Sequence, residues 1–225
     1  MNNGSVASFN DNSAHGEDAL VVRELSATSC LDAVLDGVTQ CQGAYASDFT
    51  AQMLRDSPMA SMDELSAALE QSNSTLFQGG VGRDLLTTAS VALKIESTLH
   101  VVNVGDSPVY LVRGGTIEEL SSIIQAGPLA NLPNGAVGRG EALSYKYRTV
   151  ELRPGDRLVL ATDGLLHNLA PEEIAAVVAR SSTPEDAVSG LQALINEKRA
   201  AHQGRPDTYG TFRDDDRTTV VRYLG

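Results

Sequence analysis

Four aspartates, Asp18, Asp36, Asp163 and Asp215, stand at the ends of apolar runs, where strands deliver side chains to a common edge. Glu17-Asp18 precedes ALVVRE, Asp36-Gly37 closes CLDAVLDG, Asp163-Gly164 closes RLVLATDG, and the Asp214-Asp215-Asp216 run leads into TTVVRYL. An Asp-Gly pair after an apolar run is, alone, an ordinary turn signal, and three consecutive aspartates alone are a solvated acidic turn. Their repetition along one chain is what is unusual. Gathered carboxylates repel one another, and burying one without a partner costs several kcal/mol, so converging strand ends would require a cation. An all-oxygen set suits Mg²⁺ or Mn²⁺, whereas no His or Cys cluster has zinc spacing. Two such ions could activate a water and clamp phosphoryl oxygens during in-line attack, with no protein nucleophile.

The elements that must position these residues follow from periodicity. Strands are expected over Ala19 to Glu24 and Cys30 to Val38, after a polar opening. Helical spacing marks Ala44 to Arg55 and Met62 to Phe77. From Thr87, the segments TTASVALKIE, STLHVVNVG, SPVYLVRGG and TIEELS read as an antiparallel meander, with a turn at Gly114-Gly115. Ile123 to Ser144, rich in Gly and Pro, reads as a long loop. YKYRTVEL and RLVLATDG flank a turn at Arg153 to Asp156. Pro171 opens one helix, Thr183 and Asp186 form a capping box for the next, and TTVVRYL closes the chain as a strand. Strands, a helix pair, more strands, another helix pair and a last strand predict an α+β fold, a β-sandwich with helices on its outer faces, as one domain over residues 1–225.

Composition narrows the partners. The chain has 225 residues, 29 acidic against 17 basic, and a net charge of -12, which argues against a nucleic acid or an anionic membrane. Cys30 and Cys41 form no disulfide framework, no apolar stretch reaches membrane-spanning length, and the start has neither a basic nor an apolar signal region. The expectation is a cytoplasmic monomer.

Six fragments, in order, resemble the metal-dependent protein phosphatases of the protein phosphatase 2C family: GEDALVV at Gly16 to Val22, DG at Asp36-Gly37, TTASVAL at Thr87 to Leu93, NVGDS at Asn103 to Ser107, RPGDRLVLATDGL at Arg153 to Leu165, and DDRTTVV at Asp215 to Val221. The resemblance covers nearly the whole chain. It implies a four-layer αββα sandwich of two antiparallel sheets flanked by helix pairs. It also implies a serine/threonine phosphatase acting on phosphorylated protein, through a water activated by two Mn²⁺ or Mg²⁺ ions and with room for a third. Asp36 would bridge the two metals, Asp163 and Asp215 would complete the first site, and the Gly37 carbonyl would serve the second. Glu17 and Asp18 would hold metal-bound waters or a further ion, and Asp106 matches the position of the third metal, although it also reads as a turn aspartate.

The departures define what the chain does differently. Val38-Thr39-Gln40-Cys41-Gln42 follows Asp36-Gly37 where the family usually has glycines or a histidine, so the lip of the site is rewritten and Val38 cannot act as general acid. The arginine that many members place before the Glu-Asp pair, to hold phosphate, is missing; His15 is the nearest substitute. Pro108 stands where arginine is common, and the usual Asp-Asn is Asp215-Asp216. Cys41 reads as a plain buried thiol that could instead sense oxidation near the metals, and His167 as a polar residue before a helix that could instead reach the site as an acid. His100 and His202 have no reading beyond structure. Three alternatives stand beside the phosphatase: a regulatory module that keeps the fold without turnover, a phosphatase of small metabolites, and a non-catalytic β-sandwich with a structural cation.

Overall fold

The computed structural model describes residues 1–80, 85–121, 135–203 and 212–225. Among the described residues, ten strands form two antiparallel five-stranded sheets. One sheet runs in the order β1 (Ser5–Asp11), β10 (Arg217–Tyr223), β9 (Arg157–Ala161), β6 (Val109–Arg113), β7 (Thr116–Glu119). The other runs β2 (Asp18–Glu24), β3 (Ser29–Asp36), β4 (Ala89–Ile95), β5 (Thr98–Val104), β8 (Lys146–Glu151). Helices α1 (Gly43–Asp56) and α2 (Met62–Gly80) pack on the β2–β8 sheet through Leu31, Leu54, Leu65 and Leu69. Helices α4 (Pro171–Arg180) and α5 (Pro184–Gln203) cover the β1–β7 sheet through Val159, Ile174, Leu191 and Val221. The expected αββα sandwich is what forms.

The two sheets face each other across a third apolar layer of Val34, Val101, Leu111, Leu160 and Val220. Period-two alternation requires that layer to include the residues two positions away on each strand. Asp32 and Asp36 therefore flank Val34 on the inner face of β3, Asp18 and Glu24 end the inner face of β2, and Thr218 and Arg222 flank Val220 on β10. The inter-sheet layer is apolar in its middle and charged at both ends. Thr183 caps α5 as expected, its hydroxyl accepting from the Asp186 N–H at 3.1 Å. Gly114 and Gly115 form the β6–β7 turn with φ of 58° and 82°, which a primed hairpin turn needs. Among the described residues no helix is long and apolar enough to cross a membrane.

Three expectations need correction. The opening is not merely polar: Ser5–Asp11 is a strand, paired with β10 from Ser5↔Tyr223 to Asp11↔Arg217. The four strands after Thr87 are not one meander, because β4 and β5 pair in one sheet while β6 and β7 pair in the other. Residues 105–108 carry the chain across the sandwich. RLVLATDG is not strand to its end: β9 stops at Ala161 and Asp163–Leu166 is a short helix, α3, whose Gly164 lies so close to the Asp216 carbonyl (2.0 Å from an added Cβ) that no side chain fits. Of the long loop expected over Ile123 to Ser144, residues 123–134 lie outside the described residues.

Candidate metal centre

Antiparallel register brings the first two carboxylates together, since Asp18 is the cross-strand partner of Asp36. Asp36 is fixed by its backbone. Its N–H donates to Thr88 Oγ1 at 3.1 Å, and its carbonyl accepts from the Thr88 N–H at 2.8 Å and the Thr87 hydroxyl at 2.9 Å. This explains the paired threonines of TTASVAL. The Thr162 hydroxyl, next to Asp163, donates to Asp18 Oδ2 at 2.8 Å and accepts from the Thr218 N–H at 2.9 Å, so one side chain joins three of the sequence fragments. Asp18 Oδ1 is buried without a hydrogen-bond partner among the described residues.

The electrostatics of this cluster are those of carboxylates with no lysine or arginine paired to them among the described residues; the cationic partners within reach are the imidazoles of His15 and His167. Burial, then repulsion from Asp18 and Asp163, pushes the Asp36 carboxyl up to about 9. Burial raises Asp18 to about 7, with Asp216 and Asp163 adding to the shift in spite of the Thr162 hydroxyl. Asp163 is raised by burial, against the pull of His167, with Asp215 adding to the rise. An orphaned buried oxygen and an all-oxygen donor set fit Mg²⁺ or Mn²⁺.

Asp215 and Glu17 are each held by their own contacts. Asp215 Oδ1 accepts from the Asp216 N–H at 2.9 Å and lies 3.1 Å from His15 Nδ1, so the histidine considered as a phosphate holder is already committed to an aspartate. The Glu17 carbonyl accepts from the Gly37 N–H at 3.1 Å and the Ser47 hydroxyl at 2.6 Å, and its Oε2 accepts from the Thr39 hydroxyl at 2.7 Å. Gly37 and Gly43 pack backbone to backbone, with 2.3 Å from an added Gly37 Cβ to the Gly43 carbonyl carbon, which seats the start of α1 against the end of β3. Asp106 is exposed in the bend after β5, and its charge helps raise Asp163.

Gln40 and Gln42 adopt positive φ of 68° and 46°, a conformation glycine takes freely and other residues take at a cost on the order of 1 kcal/mol each. Cys41 between them is half-buried, held by backbone bonds to Val38 and Leu86. Cys30 is fully buried and its thiol is pushed up to about 12, which makes it inert.

Two residues at the centre stand out less in the sequence than in the structure. Asp216, read only as a swap that adds charge, is buried, and its carboxylate accepts from the backbone N–H of Ala14 at 3.0 Å, His15 at 2.9 Å and Glu17 at 2.7 Å. It holds the loop that delivers His15 and Glu17. His167 lies 3.6 Å from Asp163, and Asp163, His167 and Asp215 each bring one ligand-capable atom within 4.8 Å of the others. The i, i+4 spacing of Asp163 and His167 carried that signal once a helix followed the strand.

Residues 41–222 match the family described as Stage II sporulation protein E (SpoIIE). The rice (Oryza sativa subsp. japonica) probable protein phosphatase 2C BIPP2C1 is 34% identical over 142 residues, which is 62% of this chain and 24% of that protein, so the chain spans about a quarter of that relative's length. Among solved structures, PppA of Pseudomonas aeruginosa, described as a key regulatory component of T6SS, superposes with a TM-score of 0.78 at 25% identity, covering 98% of this chain and 97% of the other. The PPM Ser-Thr phosphatase MsPP of Mycobacterium smegmatis does so with a TM-score of 0.77 at 26% identity, covering 98% of each.

Proposed function

Because the chain belongs to the SpoIIE family and, through it, to the protein phosphatase 2C type of phosphatase, we propose that it is a metal-dependent serine/threonine protein phosphatase hydrolysing phosphomonoesters of protein substrates. The observation that carries this reading is the convergence of Asp18, Asp36, Asp163 and Asp215 around a buried, unpartnered carboxylate oxygen. Asp36, Asp163 and Asp215, with the Gly37 carbonyl, would hold two Mn²⁺ or Mg²⁺ ions; Asp18 and Glu17 would support them, and Asp106 would serve a third. Such ions, when bound, acidify water until it can attack phosphorus near neutral pH and neutralise the phosphoryl oxygens. The chain's own residues do the positioning. Thr87 and Thr88 fix the backbone of Asp36, Thr162 aims Asp18, and Asp216 fixes the loop that carries Glu17.

The test is hydrolysis of a phosphothreonine peptide and of a small aryl phosphate with Mn²⁺, with chelator, and with Asp36→Asn. We expect turnover of both substrates with Mn²⁺, its abolition by chelator, and a loss on the order of a thousandfold in Asp36→Asn. Absence of metal-dependent turnover would refute the enzyme and favour a regulatory module. Hydrolysis of the aryl ester but not the peptide would redirect the assignment to small metabolites.

A further inference from the structure

A phosphate dianion approaching this centre meets a shortage of positive charge. Five carboxylates gather there (Glu17, Asp18, Asp36, Asp163 and Asp215), and two divalent cations do not offset them. The chain as a whole carries -12. A cationic side chain at the rim is therefore needed, fixed in position and not already neutralised. Arg199 is paired with Asp214 at 2.8 Å, Arg217 with Asp11, and His15 with Asp215.

Arg213 meets both conditions. It is exposed, two residues before Asp215, and takes part in none of the salt bridges among the described residues. Its backbone is clamped by Asn168, whose Oδ1 accepts from the Arg213 N–H at 3.0 Å and whose Nδ2 donates to the Arg213 carbonyl at 2.8 Å. The same Nδ2 donates to the Gly164 carbonyl at 2.9 Å, so one amide ties residue 213 to the helix turn that carries Asp163. At its tip, Arg213 donates to His167 Nε2 at 3.0 Å. A guanidinium can only donate, so that nitrogen bears the lone pair and the ring proton sits on Nδ1, 3.6 Å from Asp163 Oδ2. The line from Asp163 through His167 to Arg213 places a guanidinium one imidazole ring from the centre, with donors left to fork onto two phosphate oxygens. His167 cannot hold Arg213 and ligate a metal through Nδ1 together, since the ring would then need its proton on Nε2, facing the guanidinium.

We propose that Arg213, positioned by His167 and Asn168, binds the phosphate group of the substrate at the rim of the centre; this rests on the phosphatase reading above.

The test is calorimetric titration of the Mn²⁺-loaded protein with inorganic phosphate, beside kcat and KM on a phosphothreonine peptide and a separate Mn²⁺ titration. Arg213→Ala should weaken phosphate about 10- to 100-fold and raise KM, with Mn²⁺ affinity unchanged. Arg213→Lys should recover part of the loss, because an ammonium cannot fork. Arg180→Ala, exposed at the end of α4, lowers the net positive charge equally and should leave phosphate affinity unchanged. Undiminished phosphate binding by Arg213→Ala, or an equal loss in Arg180→Ala, overturns the proposal. So does His167→Ala if it lowers Mn²⁺ affinity and spares phosphate, since the histidine would then belong to the metal. If the loaded protein binds phosphate through Arg213 but hydrolyses no phosphomonoester, the anion site stands and the phosphatase reading falls.

Discussion

Strand β3 carries two aspartates four residues apart on one face, and the molecule treats them in opposite ways. Asp32, fully buried, receives two N–H donors from Arg222 at 2.6 and 2.9 Å; Arg222 also donates to Glu24 at 2.8 Å and to the Asn3 carbonyl at 3.0 Å. Nearby, buried Lys94 donates to the Thr28 carbonyl at 2.7 Å and to Asn3 Oδ1 at 3.1 Å. At the other end of the same layer, Asp36 faces Asp18 and Asp163 with no such cation among the described residues. One end is a closed ion network; the other is the same kind of charge left open. Where a fold can place an arginine beside a buried carboxylate and does so at one end only, the open end is adapted to a cation from outside.

The comparison breaks most visibly by substitution at each end. Asp32→Ala leaves Arg222 buried with only the exposed Glu24 as a carboxylate partner, and should destabilise the protein by about 3–5 kcal/mol in urea unfolding, with or without Mn²⁺. Asp36→Asn should do the reverse in chelator, removing a repulsive charge and raising stability. Equal destabilisation by both would show that the two ends are energetically alike and would remove the basis for an external cation.

A second test uses pH. Asp36 and Asp18 have folded-state pKa values of about 9 and about 7, both above the ordinary 3.8. Between those limits the folded state holds protons that the unfolded chain has released, so stability falls as pH rises. In chelator, the stability advantage of Asp36→Asn over the unsubstituted protein should be near zero close to pH 4 and grow up to about pH 9. Saturating Mn²⁺, at about 100 times its Kd, should add roughly 2.7 kcal/mol to the unsubstituted protein, which narrows the margin throughout and reverses the order at the acid end of that range, where the margin is still smaller. A margin that does not change with pH would mean that Asp36 is not held against its own charge.

The open end was the more legible one in the sequence. Asp36, Asp163 and Asp215 stand out because polar residues that end apolar strands violate the local pattern, and violations concentrate at functional sites. The closed end drew no notice: Asp32 and Arg222 sit inside runs that read as ordinary strands, and their pairing joins residues 190 positions apart. The same non-locality hid β1, an edge strand whose SVASFND lacks clean alternation and whose strand character depends on β10 at the far end of the chain. It also hid the crossing between β5 and β6, since alternation marks a strand but not the sheet it joins. His167 reads from sequence as a polar residue that could reach the site as an acid, but its tie to Asp163 depends on α3, and without that helix the spacing of the two has no meaning.

Asp216 gives a third arrangement and the smallest predicted effect. It lies at the open end, yet its carboxylate is satisfied by three backbone N–H groups from Ala14, His15 and Glu17. In Asp216→Asn only one oxygen remains. Whichever way the amide turns, its NH₂ faces at least one of those N–H donors, and the loop carrying Glu17 loses an anchor. A cost of about 1–2 kcal/mol is expected. Because partial charges on the backbone rather than an added ion compensate this carboxylate, the cost should keep its sign in chelator and in Mn²⁺, whereas that of Asp36→Asn should change sign. Mn²⁺ affinity should fall modestly, through Glu17. A stability change in Asp216→Asn that reverses with metal would instead move Asp216 from holding the loop to holding the ion.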